Sequence, residues 1–307
     1  MKKLHILDVT LRDGGLRNKN NFGEKVSCDV VSTLDAIGLD YIEFTLRIPS
    51  PKALNLNGEN DFLKLIRNQA PHAKLAVMCI PEIINDDEFA QMKHCGMDLV
   101  RFAFQTSSDL ETGLRKIAAA KSAGLAVSAN FTCATQWSKS LIESFVSNFL
   151  SAGADIIYLA DSSGSMIPAD VEKYMDIIQK LNPPHVGFHA HDNLGLALMN
   201  SLTAIDCGAD FIDSSLRGMG NSSGNLKTET LLVYLNKTQN YSFDLQKLLN
   251  LSSQFEQWIP ESTPVHTPQQ MWLGLLDLPE NPEDQAKIVD IAQCNNLNSP
   301  SVLSTRI

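Results

Sequence analysis

The chain has 307 residues, 44% of them apolar and 20% charged, a length that suits one large α/β barrel or two ordinary domains. This composition is close to the globular average and excludes general disorder. The 25 Lys and Arg residues stand against 35 Asp and Glu, and the net charge of −10 argues against a broad nucleic-acid or anionic membrane surface. A small anionic substrate stays compatible with this charge, because one local cationic pocket is sufficient.

The N-terminus carries no recognisable targeting signal. Met1, Lys2 and Lys3 look like the charged start of a signal peptide, but His5 and Asp8 interrupt the apolar run that should follow. No stretch approaches the roughly 20 apolar residues of a membrane span. The six cysteines form no C-x-x-C pair and sit inside apolar segments, which predicts reduced, packed thiols in a cytoplasmic protein.

Eight short β-rich apolar runs recur along the first 240 residues, and their first residues lie 25 to 37 positions apart. That spacing is what one strand, one crossover helix and two loops require. We predict strands at Leu4–Val9, Tyr41–Leu46, Lys74–Cys79, Leu99–Phe104, Leu125–Asn130, Ile156–Ala160, His185–Ala190 and Phe211–Ser215.

The segments between these runs have helical patterns, and we predict helices at Glu24–Ile37, Asp109–Ala123, Leu141–Ala152, Val171–Leu181 and Leu194–Cys207. A Gly-X-Asp step precedes four of the strands, at residues 38–40, 96–98, 153–155 and 208–210. It is typical of one helix-to-strand turn used four times. Eight strand–helix units over about 240 residues predict an α/β fold of the (β/α)₈ TIM-barrel type rather than an open sheet.

The pattern changes beyond residue 240. Prolines within residues 260–268 break the periodicity, and two short helical segments, Leu245–Trp258 and Gln269–Leu276, precede a polar tail. About 67 residues with weak patterning are marginal as an independent domain. We therefore predict a catalytic barrel over residues 1–240 and a C-terminal extension over residues 241–307 that packs on the barrel.

The end of the seventh predicted strand carries a pair of histidines. In TIM barrels the chemistry gathers at the C-terminal ends of the strands. His189 and His191 are two positions apart, so both rings can share one face. Neutral imidazoles at that spacing are natural metal ligands, which a carboxylate from another strand would complete. The alternative is two loop histidines bonded to the backbone.

The first predicted strand ends near a second group of polar residues. In a closed barrel this strand neighbours the eighth and lies near the seventh, so Asp13 can reach a cation held by the histidines. Arg12 beside a metal needs an anionic partner, and its planar fork suits a carboxylate or an enolate. Gly14 and Gly15 would let backbone amides approach a ligand closely. An Arg–Asp surface pair is the alternative.

Taken together, these motifs resemble the DRE-TIM metallolyase superfamily and are most similar to its 4-hydroxy-2-oxovalerate aldolase-like branch. The resemblance covers roughly residues 4–237. It rests on Asp8-x-Thr10-Leu11-Arg12-Asp13-Gly14 and on a later segment with His189-x-His191-x-Asn193-x-Gly195, Gly218-x-Gly220 and Gly224-Asn225.

The resemblance implies a divalent metal held by Asp13, His189 and His191. It also implies that Asn225 is a further ligand or a substrate contact, and that Arg12 stabilises an enolate. This ligand set suits Mn²⁺ or Mg²⁺, with Zn²⁺ or Co²⁺ as alternatives. The expected activity is that of an aldolase, a carbon–carbon lyase that cleaves or forms a 4-hydroxy-2-oxo acid through a pyruvate-type enolate.

Two positions depart from the family pattern. The aldolases carry a His that acts as base shortly after the Asp-Gly, where this chain has Leu16; the synthases and lyases have Glu where this chain has Gly15. Glu43 and Gln105 are the candidates for proton transfer, beside a metal-bound water, and a structural ion pair is the alternative for Glu43. Ser162, at the end of the sixth strand, is expected to hydrogen-bond the substrate.

Two rival functions stay open. One is a Claisen-type acyl-CoA lyase or synthase of the same superfamily, for which the glycine-rich residues 218–224 would offer a phosphate cradle. The other is a metal-binding barrel that has lost catalysis and serves as a subunit. The expected partners are a small anionic 2-oxo acid and an aldehyde or acyl acceptor, without nucleic acid or membrane. An interface through the C-terminal extension, with a second copy or a partner enzyme, is also left open.

Overall fold

The computed structural model describes residues 2–47, 56–238 and 241–278, without the side chains of residues 45–47 and 56–60. Eight parallel strands follow one another around a closed barrel, and β1 pairs with β8 to close it. The strands are β1 (His5–Asp8), β2 (Tyr41–Arg47), β3 (Lys74–Cys79), β4 (Leu99–Phe104), β5 (Ala126–Phe131), β6 (Ile156–Asp161), β7 (His185–Ala190) and β8 (Phe211–Ser214). The predicted TIM-barrel fold is confirmed, and every predicted strand boundary lies within one residue of the observed one.

Helices follow the strands and surround the barrel. They are α1 (Gly23–Ile37), α2 (Leu56–Gln69), α3 (Asp86–His94), α4 (Leu110–Ser122), α5 (Lys139–Ser151), α6 (Pro168–Gln179), α7 (Ala197–Asp206), α8 (Thr228–Thr238), α9 (Leu245–Trp258) and α10 (Pro268–Leu275). The prediction that a helix begins at Leu194 was wrong by three residues. Residues 192–195 form a turn instead, in which Gly195 has a φ of 73° and Asp192 Oδ1 accepts a hydrogen bond from the backbone N–H of Ala197.

The four Gly-X-Asp steps adopt one repeated turn. Their glycines have φ values between 88° and 98°, a left-handed conformation that ends the preceding helix. Each following aspartate accepts a hydrogen bond from a backbone N–H of the strand before: Asp40 from Ile6, Asp98 from Leu75, Asp155 from Val127 and Asp210 from Val186. The repeat therefore joins the strands in pairs at the N-terminal end of the barrel.

Apolar side chains form two separate regions. The larger lies between the sheet and the surrounding helices, and the smaller fills the lower barrel interior with residues such as Leu7, Leu99 and Phe211. Higher in the interior, charged side chains replace apolar ones. Glu43, Arg101 and Asp213 are each no more than 1% exposed, so their charges must be compensated within the barrel.

The described part of the C-terminal segment lies against the barrel. Helix α9 packs on α1 and α8. The following residues cross the loops at the C-terminal end of the strands, where Arg17 donates a hydrogen bond to the carbonyl of Glu261 and Asp277 accepts hydrogen bonds from Thr135 and Ser165. The predicted polar tail beyond residue 278 and Cys294 lie outside the described residues.

The described ranges contain neither a disulfide nor a helix that could span a membrane. None of the five cysteines in these ranges is in a disulfide. No helix there has the length and apolar character needed to cross a bilayer.

Candidate active site

One carboxylate and two imidazoles meet at the C-terminal end of the barrel. Asp13 precedes a short 3₁₀ turn after β1, His189 lies in β7 and His191 directly follows it. One ligand atom from each residue lies within 4.8 Å of the others, and the two Nε2 atoms are 3.2 Å apart. All three side chains are buried. Among the described residues, no other His, Cys, Asp or Glu side chains form such a group.

An amide oxygen completes the donor set. Asn225 Nδ2 donates to Asp13 Oδ2 at 2.8 Å and to the carbonyl of Met219 at 3.1 Å, and both partners can only accept. This fixes the orientation of the amide and leaves Asn225 Oδ1 buried without a partner in the described part of the chain. Gly220 makes this placement feasible, because a Cβ there would overlap the Asn225 amide.

The protonation states suit metal binding. Burial lowers the pKa of His191 to about 4, so its imidazole is neutral at neutral pH and keeps a lone pair. Burial alone would raise the pKa of Asp13, but the nearby Arg12 guanidinium lowers it below its ordinary value. A carboxylate, two imidazoles and an amide oxygen form a donor set that fits a divalent cation.

Arg12 lies beside this donor set. Its Nη1 donates to Asp13 Oδ1 and its Nε donates to Glu43 Oε2, each at 2.7 Å. Nη2 has no hydrogen-bond partner in the described ranges, and the side chain is 11% exposed. A guanidinium held in this way has donors left for an anion that binds next to Asp13.

The structure adds three residues to which the sequence reasoning assigned no role. Asp213 accepts a hydrogen bond at Oδ1 from the Tyr158 hydroxyl, and its Oδ2 lies 2.9 Å from His189 Nδ1. Arg101 donates to Asp213 and to Glu43. A charged residue inside the apolar run of β4 was the available signal, because an inward charge in a closed barrel requires buried partners.

The two candidates for proton transfer lie in different surroundings. Glu43 is fully buried, and its Oε2 is shared by two guanidinium groups, the ion-pair arrangement that the sequence had left open as the alternative. Gln105 is exposed in the loop after β4, where its backbone N–H donates to Ser108 Oγ. Leu16, at the position of the family's His, is 45% exposed.

The remaining predicted residues surround the site. Ser162 follows β6, and its Oγ accepts a hydrogen bond from the backbone N–H of Cys133 at 2.9 Å. The backbone N–H of Gly14 donates a hydrogen bond to the carbonyl of Val9, so this N–H is already paired within the turn. A Cβ at Gly15 would overlap the side-chain amide of Asn20, which is exposed, so that side chain would have to shift.

A closed (β/α)₈ barrel with a carboxylate, two imidazoles and an arginine at its C-terminal end defines a TIM-barrel enzyme with a candidate metal site. The chain belongs to the HMGL-like family, whose model matches residues 3–254. The resemblance seen in the sequence is thereby confirmed.

The chain is similar to several proteins named 4-hydroxy-2-oxovalerate aldolase. It is 35% identical to the one from Geobacillus genomosp. 3, over 76% of this chain and 71% of the relative. It is 30% identical to the one from Carboxydothermus hydrogenoformans, over 82% of this chain and 77% of the relative.

Solved structures share the fold. The N-terminal domain of a protein from Bacteroides vulgatus assigned as an aldolase matches with a TM-score of 0.81 and 28% identity, over 99% of this chain and all of that one. The HMG-CoA lyase of Bacillus subtilis matches with a TM-score of 0.74 and 22% identity, over 89% of this chain and 98% of that one. The second match shows the fold alone.

Proposed function

We propose that this chain is a cytoplasmic, divalent-metal-dependent aldolase that cleaves or forms a 4-hydroxy-2-oxo acid through a pyruvate-type enolate. The observation that carries the proposal is the meeting of Asp13, His189 and His191 within 4.8 Å, with Arg12 bonded to the same carboxylate. The named aldolase relatives, at 30% identity or more over most of the chain, support this activity.

The charges of the site favour a monoanionic substrate. Three carboxylates, those of Asp13, Glu43 and Asp213, are joined to the guanidinium groups of Arg12 and Arg101, and these five groups together carry one net negative charge. A divalent cation reverses that balance to one net positive charge. The carboxylate of a 2-oxo acid then neutralises the site, which favours binding in a buried environment.

The chain's own residues perform three tasks in this proposal. Asp13, His189, His191 and Asn225 Oδ1 hold the metal, which when bound polarises the keto group of the substrate and offsets developing negative charge. Arg12 donates hydrogen bonds to the oxygen on which enolate charge develops. Ser162, whose Oγ accepts the backbone N–H of Cys133 at the end of β6, hydrogen-bonds the substrate carboxylate.

Proton transfer is assigned by elimination within this proposal. We assign Glu43 to holding Arg12, because two guanidinium groups already share its Oε2. Gln105 has no ionisable group and lies exposed, so it receives no proton. Leu16 cannot replace the family's His. The proton of the substrate hydroxyl is therefore accepted by solvent or by a group of the substrate.

We also propose that the chain has two structural parts. Residues 1–240 form the catalytic barrel, and residues 241–307 form an extension that packs on it. The packing of α9 on α1 and α8 supports this division. Thermal unfolding of the full chain should then show one cooperative transition; two separate transitions would contradict it.

A substrate screen tests the activity. The metal-loaded protein is incubated with pyruvate and a panel of aldehydes, and new 4-hydroxy-2-oxo acids are detected by product mass. The Asp13→Ala variant is the matched control and should lose the product. Robust turnover would eliminate a barrel that has lost catalysis, whereas no product with any aldehyde would contradict the proposal.

Binding measurements separate the aldolase from an acyl-CoA enzyme. Calorimetric titration in the presence of Mn²⁺ should show binding of pyruvate or oxalate and none of acetyl-CoA. We propose Mn²⁺ or Mg²⁺ as the activating ion, because oxygen ligands suit both. Protein stripped with a chelator should regain more activity with these ions than with Zn²⁺ or Co²⁺, and the reverse order would overturn the choice of metal.

A further inference from the structure

A chain of buried ion pairs connects Arg12 to His189 in the candidate site. Arg12 Nε donates to Glu43 Oε2 at 2.7 Å, and the same oxygen accepts from Arg101 Nη1 at 2.9 Å. Arg101 Nη2 donates to Asp213 Oδ2 at 2.7 Å, and that oxygen lies 2.9 Å from His189 Nδ1. The guanidinium that faces the substrate and a metal ligand are thus joined across the barrel interior through one arginine.

We infer that Arg101 is a positioning residue that orients both Arg12 and His189 through this chain. The inference rests on the proposed function, because it concerns the same site. Arg101 does not belong to the donor set itself, and none of the sequence motifs described above includes it.

The surroundings of Arg101 hold its guanidinium in one place. The side chain is 1% exposed, and its guanidinium carbon lies 4.4 Å from the centre of the Tyr158 ring, a cation–π contact. The Tyr158 hydroxyl donates to Asp213 Oδ1, so both oxygens of that carboxylate are occupied. Gly187 provides the space for the Tyr158 ring, since a Cβ there would overlap it.

The hydrogen bond to Asp213 determines which face of His189 is free. Asp213 Oδ2 accepts a hydrogen bond from Arg101 Nη2 at 2.7 Å, and its Oδ1 accepts one from the Tyr158 hydroxyl. A carboxylate held in this way accepts a hydrogen bond from His189 Nδ1–H, and the ring lone pair then lies on Nε2, which faces His191. Without Arg101, Asp213 would be a buried anion with its main compensating charge removed, and its position would change.

The other half of the chain acts on Arg12. Glu43 Oε2 is held between two guanidinium groups, and loss of Arg101 would leave Glu43 paired with Arg12 alone. The carboxylate of Glu43 would then pair more closely with Arg12 and draw the Arg12 guanidinium away from Asp13. A lysine has a single charged nitrogen and cannot reach two carboxylates with the geometry of a fork. The structure therefore predicts that Arg101→Lys is not a conservative change.

The test measures metal and anion affinity directly, without turnover. Mn²⁺ affinity is measured by equilibrium dialysis, and oxalate affinity by calorimetry on the Mn²⁺-loaded protein. Arg101→Lys is expected to lower both affinities by about tenfold or more, as loss of an outer partner of a metal ligand does. The control is Arg115→Lys, which alters an exposed arginine that also pairs with an aspartate, and both affinities should stay within about twofold of the parent.

Two further variants keep the inference testable if Arg101→Lys does not fold. Asp213→Asn should lower mainly Mn²⁺ affinity, and Glu43→Gln should lower mainly oxalate affinity. Folded variants with both affinities within twofold of the parent would overturn the inference. If the parent itself binds neither Mn²⁺ nor oxalate, the proposed function fails instead, so the two failures are distinguishable.

Discussion

Gly220 lies directly against the side chain of Asn225, so that a methyl group at residue 220 would overlap the Asn225 amide. Asn225 is thereby held with its nitrogen on Asp13 and its oxygen unpaired. The short loop after β8 thus contributes to the candidate metal site through the absence of a side chain at one position.

Gly220→Ala should therefore impair the site through Asn225. We expect Mn²⁺ affinity to fall by about tenfold, similar to the effect of Asn225→Ala, because both changes remove the same oxygen donor. The double variant should be no weaker than either single variant, since the two changes act on one interaction. Additive losses would show that residue 220 acts by another route.

The two histidines are expected to dominate metal retention. His189→Ala and His191→Ala should each lower Mn²⁺ occupancy by more than about tenfold, because loss of a ligand exceeds the effect of an outer partner. Elemental analysis after dialysis measures this occupancy. His185→Ala is the matched control, since His185 lies on the same strand at its opposite end, bonded to Asp210. Unchanged metal content in the two site variants would remove them from the ligand set.

Substitution of Arg12 should lower the catalytic rate more than it lowers the metal content. Arg12→Lys retains a positive charge but cannot donate to Glu43, Asp13 and a substrate oxygen together. We expect normal Mn²⁺ content and a kcat lower by on the order of 10²–10³, as for loss of one charge-stabilising donor. A kcat equal to that of the parent would exclude Arg12 from the reaction.

Asp8 should make stability depend on pH. Burial raises its pKa to about 7, so the folded state retains a proton that the unfolded state loses near pH 4. The stability contributed by Asp8 is therefore complete below about pH 4 and is lost as the pH rises through 7. Asp8→Asn carries no such charge. Its free energy of unfolding relative to the parent should rise by about 2–4 kcal/mol between pH 4 and 7.

Urea unfolding of both proteins at several pH values measures this difference. Effects of other titrating groups cancel in the comparison, since only residue 8 changes. A difference that stays constant between pH 4 and 7 would show that Asp8 is ionised in the folded state throughout.

The repeated Gly-X-Asp turn should affect stability and leave the site unchanged. Asp210 accepts the backbone N–H of Val186 and is 3% exposed, so Asp210→Ala leaves a buried donor unpaired. We expect a loss of about 1–3 kcal/mol in the free energy of unfolding. Mn²⁺ affinity should not change, because this turn lies at the other end of the barrel. Asp206→Ala, at an exposed position nearby, should stay within about 0.5 kcal/mol of the parent.

The local pattern of the sequence was sufficient to predict the barrel fold. Buried parallel strands are continuous apolar runs, and each Gly-X-Asp step indicates its turn through chemistry within three residues, so the strand boundaries followed without tertiary information. The start of α7 did not follow, because the turn at Asp192 competes with helical spacing. The proximity of Asp13, His189 and His191 could be predicted from the sequence, since strand order in a closed barrel determines which strand ends are neighbours.

Only the tertiary structure showed which side chains hold the candidate site residues in position. Arg101, Tyr158 and Asp213 lie on three different strands, and the hydrogen bonds that Asp213 accepts from Tyr158 and Arg101 span 55 and 112 positions of the chain. No local spacing relates them, and inward-facing positions in a barrel become neighbours only after closure. The same holds for Glu43, which the sequence left between proton transfer and an ion pair. Pairing of buried charges is a property of the enclosed space, and only the folded barrel creates that space.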